Sequence, residues 1–260
     1  MARAPRQFDP APVIRVDGFS AAYDDRVVLR DVSFDVRRGE VLVIAGGSGC
    51  GKSTMLKHLI GLNAPAAGRI LIDGQDFSSA TGAQRRAILR RFGVAFQGGA
   101  LFGSMSVLEN VRLPLEEFTN LNDEMMDMIS LVKLRLVAMH DAAQKLPAEL
   151  SGGMQKRAAI ARAMALDPQI VFLDEPSAGL DPITSAELDQ LILTLNRLLS
   201  TTFVIVSHEL ASIFSVADRV VMLDAGAKSI IACDEPEKLR NSSDARVRAF
   251  FNREPLRGAA

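Results

Sequence analysis

Residues Gly46-Gly47-Ser48-Gly49-Cys50-Gly51-Lys52-Ser53 set glycines, a lysine and a hydroxyl at the spacing GxxxxGK[ST]. That spacing suits phosphate binding. Glycines let successive backbone N–H groups turn inward around a β-phosphate, and a helix starting behind them adds its positive end. Lys52 then reaches the β- and γ-phosphates, and Ser53 offers its hydroxyl to Mg²⁺. The competing reading is a chance glycine turn before a helix. Against it, an apolar, strand-like run (residues 40–45) precedes the loop. Residues 52–62 follow with helical spacing in Met55, Leu56, Leu59 and Ile60.

A second candidate lies at Ile170-Val171-Phe172-Leu173-Asp174-Glu175, an apolar strand ending in two acids. A buried strand of this kind delivers Asp174 beside a phosphate loop, where it holds Mg²⁺ through water. Glu175 is then placed to orient or deprotonate an attacking water. Taken alone, the pair also reads as a solvated strand end; the phosphate loop upstream favours chemistry. The third candidate is Leu150-Ser151-Gly152-Gly153-Met154-Gln155. Ser151 caps a helix there, and Gly152 and Gly153 let its free N–H groups approach a phosphate closely. Without the phosphate loop this segment would read as an ordinary capped helix.

Taken together, these motifs resemble the ATPases of the ABC type. Other marks of that family fall in the expected order. Tyr23 matches the aromatic that stacks on adenine, and Gln97 matches the glutamine loop. Ser177-Ala178-Gly179-Leu180-Asp181 matches the loop after the carboxylates, and His208 matches the switch histidine. The resemblance runs over residues 13–252. It implies ATP and Mg²⁺ as cofactors, with Gly46, Gly47, Ser48, Gly49, Cys50, Gly51, Lys52, Ser53 and Thr54 around the phosphates. Ser53, Gln97 and Asp174 would serve the metal, and Glu175, His208 and Gln97 would serve catalysis. It also implies a head-to-tail pair of copies, in which Ser151, Gly152 and Gly153 of one copy meet the γ-phosphate held by the other. Met154 stands where many members carry Gln; the hydroxyl and glycines that would meet nucleotide are retained.

Within the family, three segments are similar to the ATPases of Mla-type transporters. They are Phe96–Phe102 with the following SMSVLENVRLPL, LSGGMQKR at residues 150–157, and residues 244–250 near the C-terminus. That similarity implies phospholipid movement between the inner and outer membranes. It implies an integral membrane permease, an MCE-domain protein and a STAS-domain protein as partners, and a place on the cytoplasmic face of the inner membrane. The alternatives are an importer for a small polar solute, which would share every catalytic residue, and a non-transport ABC scaffold ATPase.

Positioning such groups requires an α/β chain: a P-loop NTPase core with a mostly parallel sheet. Strands are expected at 13–16, 27–36, 40–45, 68–72, 94–96, 170–173, 202–206, 220–223 and 229–232. The first two look antiparallel, joined by a turn over 21–26. Between residues 98 and 165 helical patterns replace β-branched runs, which predicts a helical insertion. Residues 182–199 read as a helix and 236–252 as a helical tail. The predicted division is a disordered lead-in (1–12), a single ATPase domain (13–252) and a flexible tail (253–260).

The 260 residues carry 30 Lys plus Arg against 31 Asp plus Glu, and have no Trp and one Tyr. That balance speaks against a nucleic-acid partner. Two cysteines outside any CxxC pair fit a reducing compartment. No run approaches the ~18 apolar residues of a membrane span. Arg85, Arg86, Arg90 and Arg91 read as a solvated helix face, with anionic lipid or a partner as the alternative. Phe102, Met105, Val107 and Leu108 read equally as core or as a groove for a permease helix. Phe250 and Phe251 are expected to pack on a sister subunit or to cap this chain's own core.

Overall fold

The structure, a computed structural model, describes residues 8, 9, 11–24 and 26–255. The expectations for residues 1–7, 10 and 256–260 lie outside the described residues. The elements in chain order are β1 (Pro12–Tyr23), β2 (Arg26–Arg37), β3 (Val41–Gly46), α1 (Lys52–Leu59), β4 (Ala67–Ile72), β5 (Gln75–Asp76), α2 (Gly82–Leu89), β6 (Phe92–Ala95), α3 (Val107–Phe118), α4 (Asp123–Leu136), α5 (Gly152–Ala163), β7 (Ile170–Asp174), α6 (Pro182–Leu199), β8 (Thr202–Val206), α7 (Leu210–Val216), β9 (Arg219–Asp224), β10 (Ser229–Asp234), α8 (Pro236–Arg240) and α9 (Ala245–Asn252).

Two sheets organise them. One is antiparallel, in the order β2-β1-β4-β5; the other runs β10-β9-β3-β8-β7-β6. In the second, β9, β3, β8, β7 and β6 are mutually parallel, and β10 alone pairs antiparallel at the edge. β3 explains why: Val41, Val43 and Ala45 join one apolar cluster, while Leu42 and Ile44 join the other. A strand buried on both faces needs helices or a second sheet on each side. α1 and the antiparallel sheet cover one face, and α3 to α7 with α9 cover the other.

Several elements differ from the sequence expectation. β1 continues to Tyr23 and β2 begins at Arg26, with Ala21 opposite Leu29 and Tyr23 opposite Arg26. The antiparallel pair therefore absorbs most of the expected turn. Pro12, assigned to the lead-in, already pairs with Arg37. Within the expected helical insertion α3 runs to Phe118 with Pro114 inside it, started by a reciprocal cap between Ser106 and Glu109. The single helical tail is two helices, because the Asp244 carboxylate accepts from the Arg246 N–H at 2.8 Å and starts α9 afresh. Arg253 and Glu254, assigned to a flexible tail, donate their N–H groups back to the Phe250 and Ala249 carbonyls at the end of α9.

Phe251 is buried and meets Phe214 edge-on at 5.9 Å, so it caps this chain's own core. The arginine run is largely engaged within the chain. Arg85 donates to the Gly61 carbonyl and lies over the Phe77 ring; Arg86 pairs with Glu117 and lies over Phe118; Arg91 pairs with Asp73 at 2.9 Å. Val107 is core, whereas Phe102 is 57% exposed. Cys233 is exposed on the edge strand β10.

The helical region is pressed onto the sheet at one tight point. Ala158 and Ala161 of α5 and Ala165 just after it are fully buried. A Cβ built on Gly93 of β6 would lie 1.8 Å from the Ala163 carbonyl oxygen at the end of α5. The atoms it would meet, the Ala163 O, C and Cα, are all backbone, so nothing flexible can yield. Gly93→Ala is expected to lower stability by about 3 kcal/mol, as overpacked sites do. A urea midpoint equal to that of the parent chain would show that α5 stands free of β6.

Candidate active site

The site assembles at the carboxyl edge of the parallel sheet, where strand ends leave a crevice for ligands. β3 ends at Gly46, which pairs with Leu223 of β9. Asp174 closes β7 opposite Val206 at the end of β8. Gln97 follows β6 by two residues and His208 follows β8 by two. Four neighbouring parallel strands thus present Gly46, His208, Asp174-Glu175 and Gln97 along one edge.

The phosphate loop has the backbone the chemistry requires. Gly46 has φ +147°, and a Cβ there would meet the Leu223 carbonyl oxygen at 2.4 Å and the Cys50 sulfur at 2.6 Å. Gly51 has φ +103° and opens α1 without a side-chain cap; no acidic residue occupies the first turn. The free N–H groups of that turn are left to an anion. The Lys52 ammonium donates to the Gly46 and Gly47 carbonyls at 2.8 and 3.0 Å, inside the loop. Cys50 is buried behind it, and burial pushes its thiol pKa up. It fills space there as an unreactive thiol.

Across the crevice, Glu175 is nearly buried, with φ +45°. Its N–H donates to the Val206 carbonyl at 2.8 Å. Its Oε1 lies 2.7 Å from Nδ1 of His208, whose side chain is 65% exposed. A carboxylate only accepts, so Nδ1 carries the proton and Nε2 is the ring atom turned to other partners. Burial and the adjacent Glu175 charge push the Asp174 pKa up; Lys156, Lys57 and Lys52 oppose this. The Lys52 ammonium and the Asp174 carboxylate are therefore within electrostatic reach. Ser53, Asp174 and Gln97 offer hydroxyl, carboxylate and amide oxygens, the hard donors that suit Mg²⁺. A cation there would also relieve the crowded Asp174–Glu175 pair.

Tyr23 ends β1, 43% exposed, and its hydroxyl accepts from the Asn63 side chain at 2.8 Å. Ser151 caps α5 by accepting the Met154 N–H at 3.3 Å, with Ser151 and Gly152 exposed. A Cβ on Gly153 would meet Thr184 at 2.6 Å, so this end of α5 sits tightly against α6. His58 is structural: it bonds the Thr54 carbonyl through Nδ1 at 2.7 Å and meets Phe19 edge-on at 5.0 Å.

Sequence reasoning missed Lys156, Arg162 and Asn63. Lys156 of α5 donates to the carbonyls of Gln97 and, at 3.3 Å, Glu175. Burial lowers the Lys156 pKa, and the nearby Asp174 and Glu175 oppose that. Arg162 donates to the Gly99 and Ala100 carbonyls at 2.9 and 2.8 Å. All three bond distant parts of the chain, and only cations on the otherwise small-residue helix α5 hinted at the first two.

Known proteins with this arrangement place the chain. The profile of the ABC transporter family matches residues 29–178, a stretch that includes the phosphate loop, Gln97, the Ser151 segment and both carboxylates. The chain belongs to the ABC transporter family, and it is an ATP-hydrolysing member. It is 42% identical to the Mycobacterium leprae protein named "probable ribonucleotide transport ATP-binding protein mkl", over 92% of this chain and 68% of that one. It is 38% identical to the Haemophilus influenzae intermembrane phospholipid transport system ATP-binding protein MlaF, over 93% of this chain and 91% of that one. In structure it is similar to an ATP-binding cassette solved as a dimer in a post-hydrolysis state with ADP and Pi. That match has a TM-score of 0.76 at 29% identity, covering 85% of this chain and 98% of the other.

One buried acid borders the site without joining it. Asp189 of α6 is 4% exposed and accepts from Ser212 of α7 at 2.6 Å. Burial, with Glu209 beside His208 adding to it, pushes the Asp189 carboxyl up to about 6. The folded chain therefore holds this proton more tightly than the unfolded chain. The resulting cost is absent near pH 4, grows as pH rises toward 6 and is complete above it. Asp189→Asn is expected to be the more stable protein at pH 7.5, by up to about 3 kcal/mol. Urea titrations of the two proteins should converge near pH 4; parallel curves would place the Asp189 proton elsewhere.

Proposed function

We propose that this chain powers an ABC transporter that moves phospholipid between two membranes, working as one of two head-to-tail copies beneath an integral membrane permease. The observation that carries this reading is the 38% identity to a phospholipid transport ATPase across 91% of that protein's length. A dimeric cassette among the structural neighbours supports pairing of two copies. An MCE-domain protein and a STAS-domain protein complete the proposed assembly. No helix among the described residues is long and apolar enough to cross a membrane. Attachment to the cytoplasmic face of the inner membrane is accordingly assigned to the permease.

In the proposed mechanism Tyr23, oriented by Asn63, stacks on adenine. Backbone N–H groups of residues 46–51 wrap the β-phosphate, with Ser53 and Thr54 at the helix start. ATP draws the Lys52 ammonium from its loop carbonyls to the β- and γ-phosphates, exchanging neutral acceptors for anionic ones. Ser53, Gln97 and Asp174 would hold Mg²⁺, which supplies charge neutralisation at the phosphates. Glu175 takes the proton of the attacking water, oriented by His208 through the 2.7 Å contact. Ser151, Gly152 and Gly153 of the second copy close on the γ-phosphate, so its loss releases the pair.

A second reading has its own support: the mycobacterial relative is named for ribonucleotide transport. The partner distinguishes the two. Tagged chain recovered from detergent-solubilised membranes is expected to carry a permease with an MCE-domain protein, and phospholipid is expected to stimulate the complex's ATPase. Stimulation by ribonucleotides instead would move the cargo to the second reading, and purely soluble partners would move the protein to the scaffold class. Glu175→Gln is expected to keep ATP affinity, lower turnover by about 100-fold or more and accumulate a closed dimer on gel filtration with ATP. Normal turnover would remove Glu175 from its role.

A further inference from the structure

We propose that Lys156 is a positioning residue for hydrolysis: from α5 its ammonium braces the backbone of both Gln97 and Glu175, setting their side chains toward the γ-phosphate. The inference rests on the catalytic reading of Glu175 given above.

Three observations carry it. First, one ammonium reaches two carbonyls 78 residues apart in sequence, those of Gln97 and Glu175. These residues follow β6 and β7, which are hydrogen-bonded neighbours. The brace therefore spans the part of the crevice in which both are proposed to act. Second, Glu175 adopts a left-handed backbone, φ +45°, that a side chain like glutamate rarely takes. Such a conformation persists only where its surroundings hold it. Here the N–H is tied to Val206, and the carbonyl accepts from Lys156 at 3.3 Å and from the Ala178 N–H at 3.2 Å. Third, the same helix holds the glutamine loop again further along. Arg162 donates to the carbonyls of Gly99 and Ala100, both left-handed at φ +73° and +47°. Residues 97–100 are thus strapped to α5 by charge-assisted bonds at both ends. α5 begins at the Ser151 cap proposed to meet the second copy's nucleotide. Lys156 places that cap, the glutamine loop and the Glu175 carboxylate in one mechanical unit.

The test compares Lys156→Met and Lys156→Arg in the full-length chain, with ATPase kinetics, ATP affinity and thermal midpoints measured for each. Methionine keeps the apolar stem and removes the donors; arginine keeps a charged donor. Lys156→Met is expected to lower kcat by about tenfold or more while KM for ATP stays within about twofold, the pattern of an interaction made in the transition state. Lys156→Arg is expected to recover most of kcat. If Lys156→Met does not fold, Lys156→Ala takes its place. An unchanged kcat in the donor-less variant overturns the proposal, as does a loss confined to KM, or an arginine variant as slow as the methionine one. Glu175→Gln, run alongside, separates the two readings. If it hydrolyses ATP normally, the catalytic reading fails and the brace with it. If it is inactive while Lys156→Met is fully active, the brace alone fails.

Discussion

The parallel register of β3, β8, β7 and β6 is the constraint on which the rest of this molecule depends. β7 and β8 end level, Asp174 beside Val206; β6 ends one residue earlier, with Ala95 beside Leu173, and β3 runs two residues past Ile44, the partner of Val206. Each hands over directly to a residue that can act on a phosphate. A register slip of one residue would turn every apolar side chain to the opposite face. Val41, Val43 and Ala45 fill one apolar cluster and Leu42 and Ile44 the other, so a slip would set each side chain in a space packed for a different shape. Apolar burial thereby aligns polar groups that make few direct contacts with one another.

The groups so aligned are held in a charge pattern that is unfavourable without a ligand. Two adjacent carboxylates crowd the end of β7, and Lys52 spends its hydrogen bonds on the carbonyls of its own loop. The open turn of α1 has N–H groups and no side-chain cap. Under the proposed function, triphosphate would answer the lysine and the helix start, and a divalent cation would answer the acids. Nucleotide binding then draws on electrostatic stress already present in the fold.

How much of this could be read from residues alone follows from the range of each interaction. The phosphate loop was legible from Gly46 to Ser53, because its chemistry depends on consecutive backbone groups and hence on local spacing. The acids at the end of β7 and the cap at Ser151 were legible for the same reason, as were most strands of the two-faced sheet. The length of β1 was not, since its last residues pair across to β2 and carry turn-like composition. α3 continues through Pro114 to Phe118, its buried Val107, Val111 and Leu115 packing into the core. The arginine run looked like a free charged face, and only the fold brings Glu117, Asp73 and the Phe77 ring to it. Lys156 was hardly legible for a similar reason: a cation on a small-residue helix hints at a distant acceptor, and only the fold brings the carbonyls of Gln97 and Glu175 to it.

The close approach of Gly93 to Ala163 also has a mechanical reading. It pins the C-terminal end of α5 against the sheet, whereas the Ser151 end is exposed at the surface. A helix of 12 residues is about 18 Å long at about 1.5 Å per residue. A tilt of about 10° about the pinned end, which α6 would have to follow because Gly153 packs on Thr184, would carry the Ser151 end by about 3 Å, enough to make or break a hydrogen bond. The contact makes α5 a lever with its fulcrum at β6. Small rotations of the helical region become bond-length displacements where a second copy would meet the nucleotide.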